Sequence, residues 1–227
     1  IAHEIRNPLM IIKTSLRSFR RRELSEADVR EAADDIDHEV DRLNRIVGDV
    51  LDFARPIDLD LRPTDVNAVC RSAVEAVLVG ESPPSLELRL DPELPDVLTD
   101  GERLRTALLN ILANAKEAVE AKPNGRDGSG IALETRRSDE GKVAIVVRDQ
   151  GVGIAPEDLS KIFEPYFTGK RTGTGLGLAI TKNIVESLGG TVVAESRQSE
   201  GTSIRIELFP RAPVAARSAV ARAEASR

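Results

Sequence analysis

Two apolar seams in the first 54 residues leave few folds open to this chain. The first runs Ile5, Leu9, Ile12, Leu16 and Phe19, at intervals of 4, 3, 4 and 3 residues. The second runs Ile36, Val40, Leu43, Val47, Val50 and Ala54, at intervals of 4, 3, 4, 3 and 4. Alternating threes and fours hold apolar side chains on one side of an α-helix, as in coiled coils and bundles. Between the seams Arg20 to Glu26 is polar, and Ser25 with Asp28 is placed for a capping box. The expectation is a helical hairpin. A lone hairpin gives each seam a single partner, so two copies joined in a four-helix bundle bury more. A homodimer through the hairpin follows.

After Pro56 and Pro63, which bracket a short linker, the pattern becomes mixed. The spacing predicts helices over residues 65–79, 102–121 and 175–188, the last stopped by Gly189-Gly190. Residues 86–90, 131–137, 142–148, 191–196 and 202–209 alternate like strands, the last four as two antiparallel pairs. Strands beside helices without regular βαβ alternation predict an α+β class, with the hairpin followed by an α/β sandwich. The expected divisions are a hairpin domain 1–56, a linker 57–63, a sandwich domain 64–209 and a disordered tail 210–227, rich in Ala and Arg without apolar period. Aromatics make up 3% and Trp is absent, so the cores must be aliphatic.

Net charge is −6, and no basic stripe with interleaved aromatics occurs, so nucleic acid is not an expected partner. The single cysteine, Cys70, rules out an internal disulfide and fits a reducing, cytoplasmic compartment. No apolar run approaches the ~20 residues that cross a bilayer, so no membrane contact is expected of this segment. The sequence opens two positions before a histidine inside a helical pattern, so any membrane anchor is expected upstream.

That histidine, His3, falls on the outer face of the first seam, with Asn7 one turn on at i+4 and Glu4 adjacent. Pro8 removes the backbone donor that would meet the Glu4 carbonyl, which is expected to loosen the helix there. A lone surface histidine would mean little. The string His3-Glu4-Ile5-Arg6-Asn7-Pro8-Leu9, however, resembles the phospho-acceptor box of histidine kinases residue for residue. Neutral imidazole is a good nucleophile near pH 7, and phosphoryl transfer chiefly needs an aligned acceptor and charge neutralisation. Glu4 can take the other ring proton as general base or orienter.

No G-x-x-x-x-G-K-[ST] occurs, which excludes a Walker-type site. Four other pieces stand in order: Asn110-Ile111-Leu112-Ala113-Asn114, Asp149-Gln150-Gly151-Val152-Gly153-Ile154, Phe163-Glu164-Pro165-Tyr166-Phe167 and Gly173-Thr174-Gly175-Leu176-Gly177-Leu178. Singly, each reads as a solvated amide pair or a turn. In this order behind an acceptor box, they resemble the N, G1, F and G2 boxes that histidine kinases share with DNA gyrase, MutL and heat-shock chaperone ATPases. The resemblance covers roughly residues 1–209. It implies that Asp149 accepts the adenine amine, that Gly151, Gly153 and Ile154 line the ring, and that Asn110 and Asn114 hold Mg²⁺ and phosphate oxygens of ATP. It also implies that Gly173, Thr174, Gly175, Leu176 and Gly177 place backbone amides on the phosphates, with Lys170 and Arg171 in the lid neutralising the γ-phosphate. Thr202, in Glu200-Gly201-Thr202, belongs to a last glycine box. Where many family members carry a basic residue three positions after the second Asn, this chain has Glu117. The short lid Phe167–Gly173, with Asp52-Phe53-Ala54-Arg55-Pro56, looks like the nitrogen-regulation branch.

An ATP-driven clamp and a nucleotide-free binding module are the competing readings. Clamp ATPases of the gyrase type carry a Glu four residues before the site Asn as base for water; here that position is Asn110. No box is missing, which argues against a dead site. The reading is a histidine kinase core that phosphorylates His3 from ATP and passes the group to an Asp of a response regulator receiver domain. In the resembling family the equivalent of Asn7 orients water for phosphatase action on that partner.

Overall fold

The computed structural model describes residues 2–19, 25–54, 58–78, 85–122, 130–138, 140–170 and 173–210. The chain divides into two compact units, one of residues 1–55 with 164–176 and one of residues 56–163 with 177–227.

The first unit is built on an antiparallel hairpin of α1 (Ala2–Ser18) and α2 (Glu26–Ala54). The Ser25 and Asp28 side chains cap α2 as the sequence suggests. Asp28 N donates to Ser25 Oγ at 3.1 Å, and Ser25 N donates to Asp28 Oδ2 at 3.0 Å. Each helix carries two apolar stripes rather than one. Within the chain the buried residues are Pro8 and Ser15 on α1 and Ala32 and Ile46 on α2, with Ile5, Ile12, Ile36, Leu43 and Val50 half-buried beside them. The seams read from spacing mix these with residues that face away. Leu9, expected inward, is 51% exposed, as is Val47, and Leu16, Val40 and Leu51 are exposed too. The physical reason is that a 4-3 spacing marks a stripe but not which neighbour covers it. Pro8 does not break α1, which runs through it; its ring is buried instead. Of the lone bond it forfeits, the acceptor is only the third residue of the helix.

The second unit is a sandwich of a five-stranded sheet and helices. Its elements are β1 (Arg62–Thr64), α3 (Val66–Val77), β2 (Ser85–Arg89), β3 (Val97–Thr99), α4 (Gly101–Glu120), β4 (Gly130–Arg137), β5 (Val143–Asp149), α5 (Pro156–Leu159), α6 (Gly177–Ser187), β6 (Thr191–Arg197) and β7 (Gly201–Leu208). The sheet order is β2-β4-β5-β7-β6, with β2 parallel to β4 and the other pairs antiparallel. Alternation explains the core. Ile131, Leu133, Val143, Ile145, Val147, Ile204, Ile206 and Leu208 are buried and share one face, against which α4 packs Leu104, Leu108, Ile111, Leu112, Ala115 and Val119. The opposite face carries ion pairs such as Arg148–Glu134 at 2.8 Å and Arg89–Glu134 at 3.0 Å, which bridge strands but add little stability where exposed.

Capping places α3 and α4. Asp65 accepts from Ala68 N at 3.1 Å, and the buried Asp100 accepts from Arg103 N and from Asp60 N at 3.0 and 3.1 Å. Two strands escape the alternation rule by their brevity. β1 lies at the end of the expected linker 57–63 and pairs with β3, with Pro63 tolerated because this small sheet has only edges. The last helix begins at Gly177, not Gly175, because Gly175 adopts φ +66° and cannot join a right-handed helix. Its end matches expectation: Gly190 N bonds Val185 O, Gly189 N bonds Glu186 O and Gly189 has φ +76°, a Schellman cap. Cys70 is fully buried on α3, and burial pushes its thiol up to about 12, so it stays an unreactive core residue. The tail expected at 210–227 lies, beyond residue 210, outside the described residues.

Candidate functional site

α4 displays Asn110, Asn114 and Ala118 at i, i+4 and i+8 beside its buried stripe, a strip about 12 Å long at 1.5 Å per residue. Each end of the strip is closed by a glycine. At one end α6 begins, and a Cβ on Gly177 would lie 3.8 Å from Cγ and Oδ1 of Asn110. At the other end the loop after β5 comes down on Ala118. Val152 N donates to Ala118 O at 3.1 Å, and a Cβ on Gly151 would lie 2.5 Å from the Ala118 carbonyl carbon. No side chain fits at 151.

Asp149 ends the buried column Val143, Ile145, Val147 of β5, paired with Thr202 of β7. Its Oδ1 accepts from Gly151 N at 2.9 Å and from Thr202 N at 3.3 Å, which fixes the carboxylate at the mouth of the loop. The loop is fastened on its far side to the β6–β7 turn. Ser199 N donates to Val152 O at 2.7 Å, and Ile154 N donates to Ser196 Oγ at 2.8 Å. Gly153 adopts φ +67°, and a Cβ there would stand 2.0 Å from Arg197 O. Both glycines of this loop therefore answer a demand of the protein's own backbone as well as any demand of a ligand.

In the first unit, Tyr166 N donates to Gly175 O at 3.0 Å, so the aromatic segment 163–167 and the glycine segment 173–177 meet at a neck. Tyr166 sits at φ +68°, and a Cβ on Gly175 would lie 2.6 Å from the Tyr166 carbonyl carbon. The lid hangs from this neck. Lys170 N donates to Thr168 Oγ1 at 3.1 Å, and Leu176 N to Thr174 Oγ1 at 3.3 Å; a Cβ on Gly173 would press Thr168 Oγ1 at 2.7 Å. Leu176 is buried. Arg171 lies outside the described residues. His3, Glu4 and Asn7 all belong to α1; Asn7 is exposed, and the side chains of His3 and Glu4 lie outside the described residues. His38, the other histidine, is exposed on α2 with Nδ1 2.8 Å from the Asp34 carbonyl, so that nitrogen carries a proton.

The second unit thus gathers Asn110, Asn114, Asp149, Gly151, Gly153, Ile154, Gly177 and Thr202, residues up to 92 positions apart in the sequence between Asn110 and Thr202. Sequence reasoning passed over Ser196. The signal was present: in β6 the inward positions run Val192, Ala194, Ser196, a hydroxyl where the alternation asks for an apolar residue.

Two family models match the sequence that builds this geometry. The phospho-acceptor domain of histidine kinases (His Kinase A) matches residues 1–58, and the histidine kinase-, DNA gyrase B- and HSP90-like ATPase matches residues 99–212. The chain belongs to the sensor histidine kinases. Among relatives of this kinase core, the sensor histidine kinase ZraS of Klebsiella oxytoca is 38% identical over 203 residues, covering 88% of this chain and 43% of the relative. The nitrogen regulation protein NtrY of Azorhizobium caulinodans is 33% identical over 225 residues, covering 95% and 28%. The kinase core thus spans less than half the length of these curated relatives. Among solved structures it is similar to the histidine kinase ThkA in complex with the response regulator protein TrrA, with a TM-score of 0.72 at 25% identity over 92% of this chain and 60% of that one. It is also similar to full-length ShkA in complex with AMPPNP, with a TM-score of 0.66 at 30% identity over 91% and 44%. The fold, a helical hairpin followed by an α/β domain, is that of histidine kinase catalytic cores, and the ATPase-type domain makes ATP the nucleotide it uses. No helix among the described residues is long and apolar enough to cross a membrane.

Proposed function

We propose that this core transfers the γ-phosphoryl group of ATP to His3 and then passes it to an aspartate of a response regulator. The observation that carries the reading is the strip Asn110–Asn114–Ala118, closed by Gly177 at one end and by the Asp149 loop at the other. Asp149 would accept the adenine amine, Gly151, Gly153 and Ile154 would border the ring, and Thr202 would stand beside Asp149. The phosphates would run along α4 toward the start of α6, where Gly173, Thr174, Gly175, Leu176 and Gly177 would supply backbone amides, and Lys170 and Arg171 would meet the γ-phosphate. Among the described residues no three His, Cys, Asp or Glu side chains group together. By the resemblance, a Mg²⁺ ion would be held by the amide oxygens of Asn110 and Asn114, hard ligands that suit a cation keeping most of its waters; it would offset charge on the phosphates.

In the transfer the unprotonated ring nitrogen of His3 attacks phosphorus, the bond to the ADP oxygen breaks, and ADP leaves with the electron pair. Glu4 takes the proton from the other ring nitrogen. Asn7, exposed one turn on, would orient water against the aspartyl phosphate of the partner in a separate phosphatase step that releases inorganic phosphate. The test is incubation with γ-labelled ATP and Mg²⁺: label that is acid-labile and base-stable marks phosphohistidine, and a chain that only releases phosphate points to a clamp ATPase.

Asp149→Asn replaces an acceptor-only carboxylate by an amide that can present a donor to the adenine amine. Loss of such a charge-assisted bond is expected to weaken ATP binding about ten- to hundredfold. Calorimetry showing wild-type affinity would move the pocket elsewhere.

The exposed stripe of Leu9, Leu16, Val40, Val47 and Leu51 supports a homodimer, because pairing two hairpins would cover it. Val47→Asp leaves the packing within one chain untouched but puts an unpaired carboxylate in the proposed bundle core, at a cost of several kcal/mol. Light scattering at micromolar concentration should then report a monomer; a dimer of unchanged affinity would place the interface on another face.

A further inference from the structure

We infer that Ser196 is a positioning residue that sets the nucleobase preference of the pocket, by forcing the Thr202 hydroxyl to act as a hydrogen-bond acceptor. The inference rests on the reading of Asp149 and Thr202 as the base pocket. Ser196 Oγ has three neighbours: Ile154 N at 2.8 Å, Gly201 O at 2.9 Å and Thr202 Oγ1 at 3.0 Å. A serine hydroxyl owns one proton and two lone pairs. Gly201 O is a carbonyl and can only accept, so the Ser196 proton goes there. Ile154 N–H can only donate, so it takes one lone pair. The remaining lone pair can meet Thr202 only if Thr202 supplies the proton. Counting donors and acceptors therefore fixes the direction of the bond between the two hydroxyls.

With its single proton turned to Ser196, Thr202 has only lone pairs left to offer. Its backbone N–H is spent on Asp149 Oδ1. Beside Thr202 stands Asp149, itself an acceptor. Two acceptors side by side favour a base whose edge carries an amino group and oppose one whose edge carries a carbonyl there, because two oxygens facing each other leave both unpaired. The discrimination acts at carbon 6 of the purine, the position read here against Asp149 and Thr202, where adenine carries the amino group and guanine the carbonyl. The selection would thus be made by Asp149 and Thr202 together, with Ser196, which need not touch the nucleotide, deciding the part that Thr202 plays. The tightness of the turn serves the same end. A Cβ on Gly201 would stand 2.0 Å from Asp149 O, so only glycine lets β7 lie this close to the strand that carries the carboxylate.

The test compares ATP and GTP binding by calorimetry in the full chain. Variants are Ser196→Ala, Ser196→Thr, Thr202→Val, the pair Ser196→Ala with Thr202→Val, and Asp149→Asn. Ser196→Ala frees the Thr202 proton to turn toward the base, so the ratio of ATP to GTP affinity is expected to fall by about tenfold. Ser196→Thr, which keeps the hydroxyl, retains the ratio. In the Thr202→Val background, Ser196→Ala changes the ratio no further. A purely structural role would weaken both nucleotides in proportion and leave the ratio unmoved, which overturns the inference, as does a full further loss in the pair. Should Ser196→Ala fail to fold by circular dichroism, loss of the ratio in Ser196→Thr overturns it equally. If Asp149→Asn binds ATP unchanged, the pocket itself is misplaced and both readings fall; if Asp149→Asn loses ATP while the Ser196 variants keep the ratio, only this inference does.

Discussion

A His3→Gln chain incubated with Mg²⁺ and γ-labelled ATP takes up no acid-labile label, while its ATP affinity by calorimetry stays that of the parent. The amide of Gln is close to imidazole in polarity but has no nucleophilic nitrogen, since its lone pair is delocalised into the carbonyl. The loss should therefore be complete and not partial. Binding is spared because every residue of the proposed pocket lies at or beyond Asn110 in the sequence. The control is His38→Gln. His38 stands exposed on α2 with one ring nitrogen bound to the Asp34 carbonyl, among Asp34, Asp35, Asp37 and Glu39. Its replacement should leave labelling intact. Label surviving in His3→Gln, or disappearing in His38→Gln, would transfer the acceptor role to the second histidine.

Gly153→Ala carries a large expected cost to the sandwich unit. A methyl at 153 meets the Arg197 carbonyl at 2.0 Å, well inside contact distance, and the φ of +67° is one that L-residues resist. Left-handed strain of about 1–3 kcal/mol and overpacking of about 1–3 kcal/mol add to a sizeable part of the ~5–15 kcal/mol that holds a domain. The alternative to bearing that cost is to pull the loop off the β6–β7 turn, which breaks Ser199 N–Val152 O and Ile154 N–Ser196 Oγ. Either way ATP affinity should fall by more than in Asp149→Asn, and the urea midpoint should drop. Gly169→Ala is the contrast, since a Cβ there meets nothing within 4 Å and φ is not in the left-handed range. A Gly153→Ala chain with the parent's midpoint and affinity would show that the loop is not fastened where the structure has it.

Gly151 and Gly153 also mark how far a sequence can be read. Their place in Asp149-Gln150-Gly151-Val152-Gly153 identifies a glycine loop, and the family resemblance supplies a ligand-side reason for it. That Gly151 is pressed by Ala118, 33 positions earlier, and Gly153 by Arg197, 44 positions later, is visible only once the chain is folded. Ser196 tells the same story from the other side. Its hydroxyl interrupts the inward column of β6, but its meaning depends on which donors and acceptors three distant backbone and side-chain groups bring to it.

What the sequence by itself determined is whatever repeats locally or is spelled by neighbours: the two helices from threes and fours, the long strands from alternation, the helix ends at Ser25 and Gly189, and the order of the boxes. Tertiary structure alone decided which stripe of α1 and α2 turns inward within the chain, leaving Leu9 and Val47 outside and burying Pro8 and Ile46. It alone paired β2 with β4 in parallel and raised strands from the three-residue segments Arg62–Thr64 and Val97–Thr99. The division has one physical cause. Periodicity records that a face will be buried, because burial of apolar side chains is non-directional and depends only on leaving water. Which surface does the burying depends on shape and hydrogen-bond partners contributed from tens of residues away, and these no local window contains.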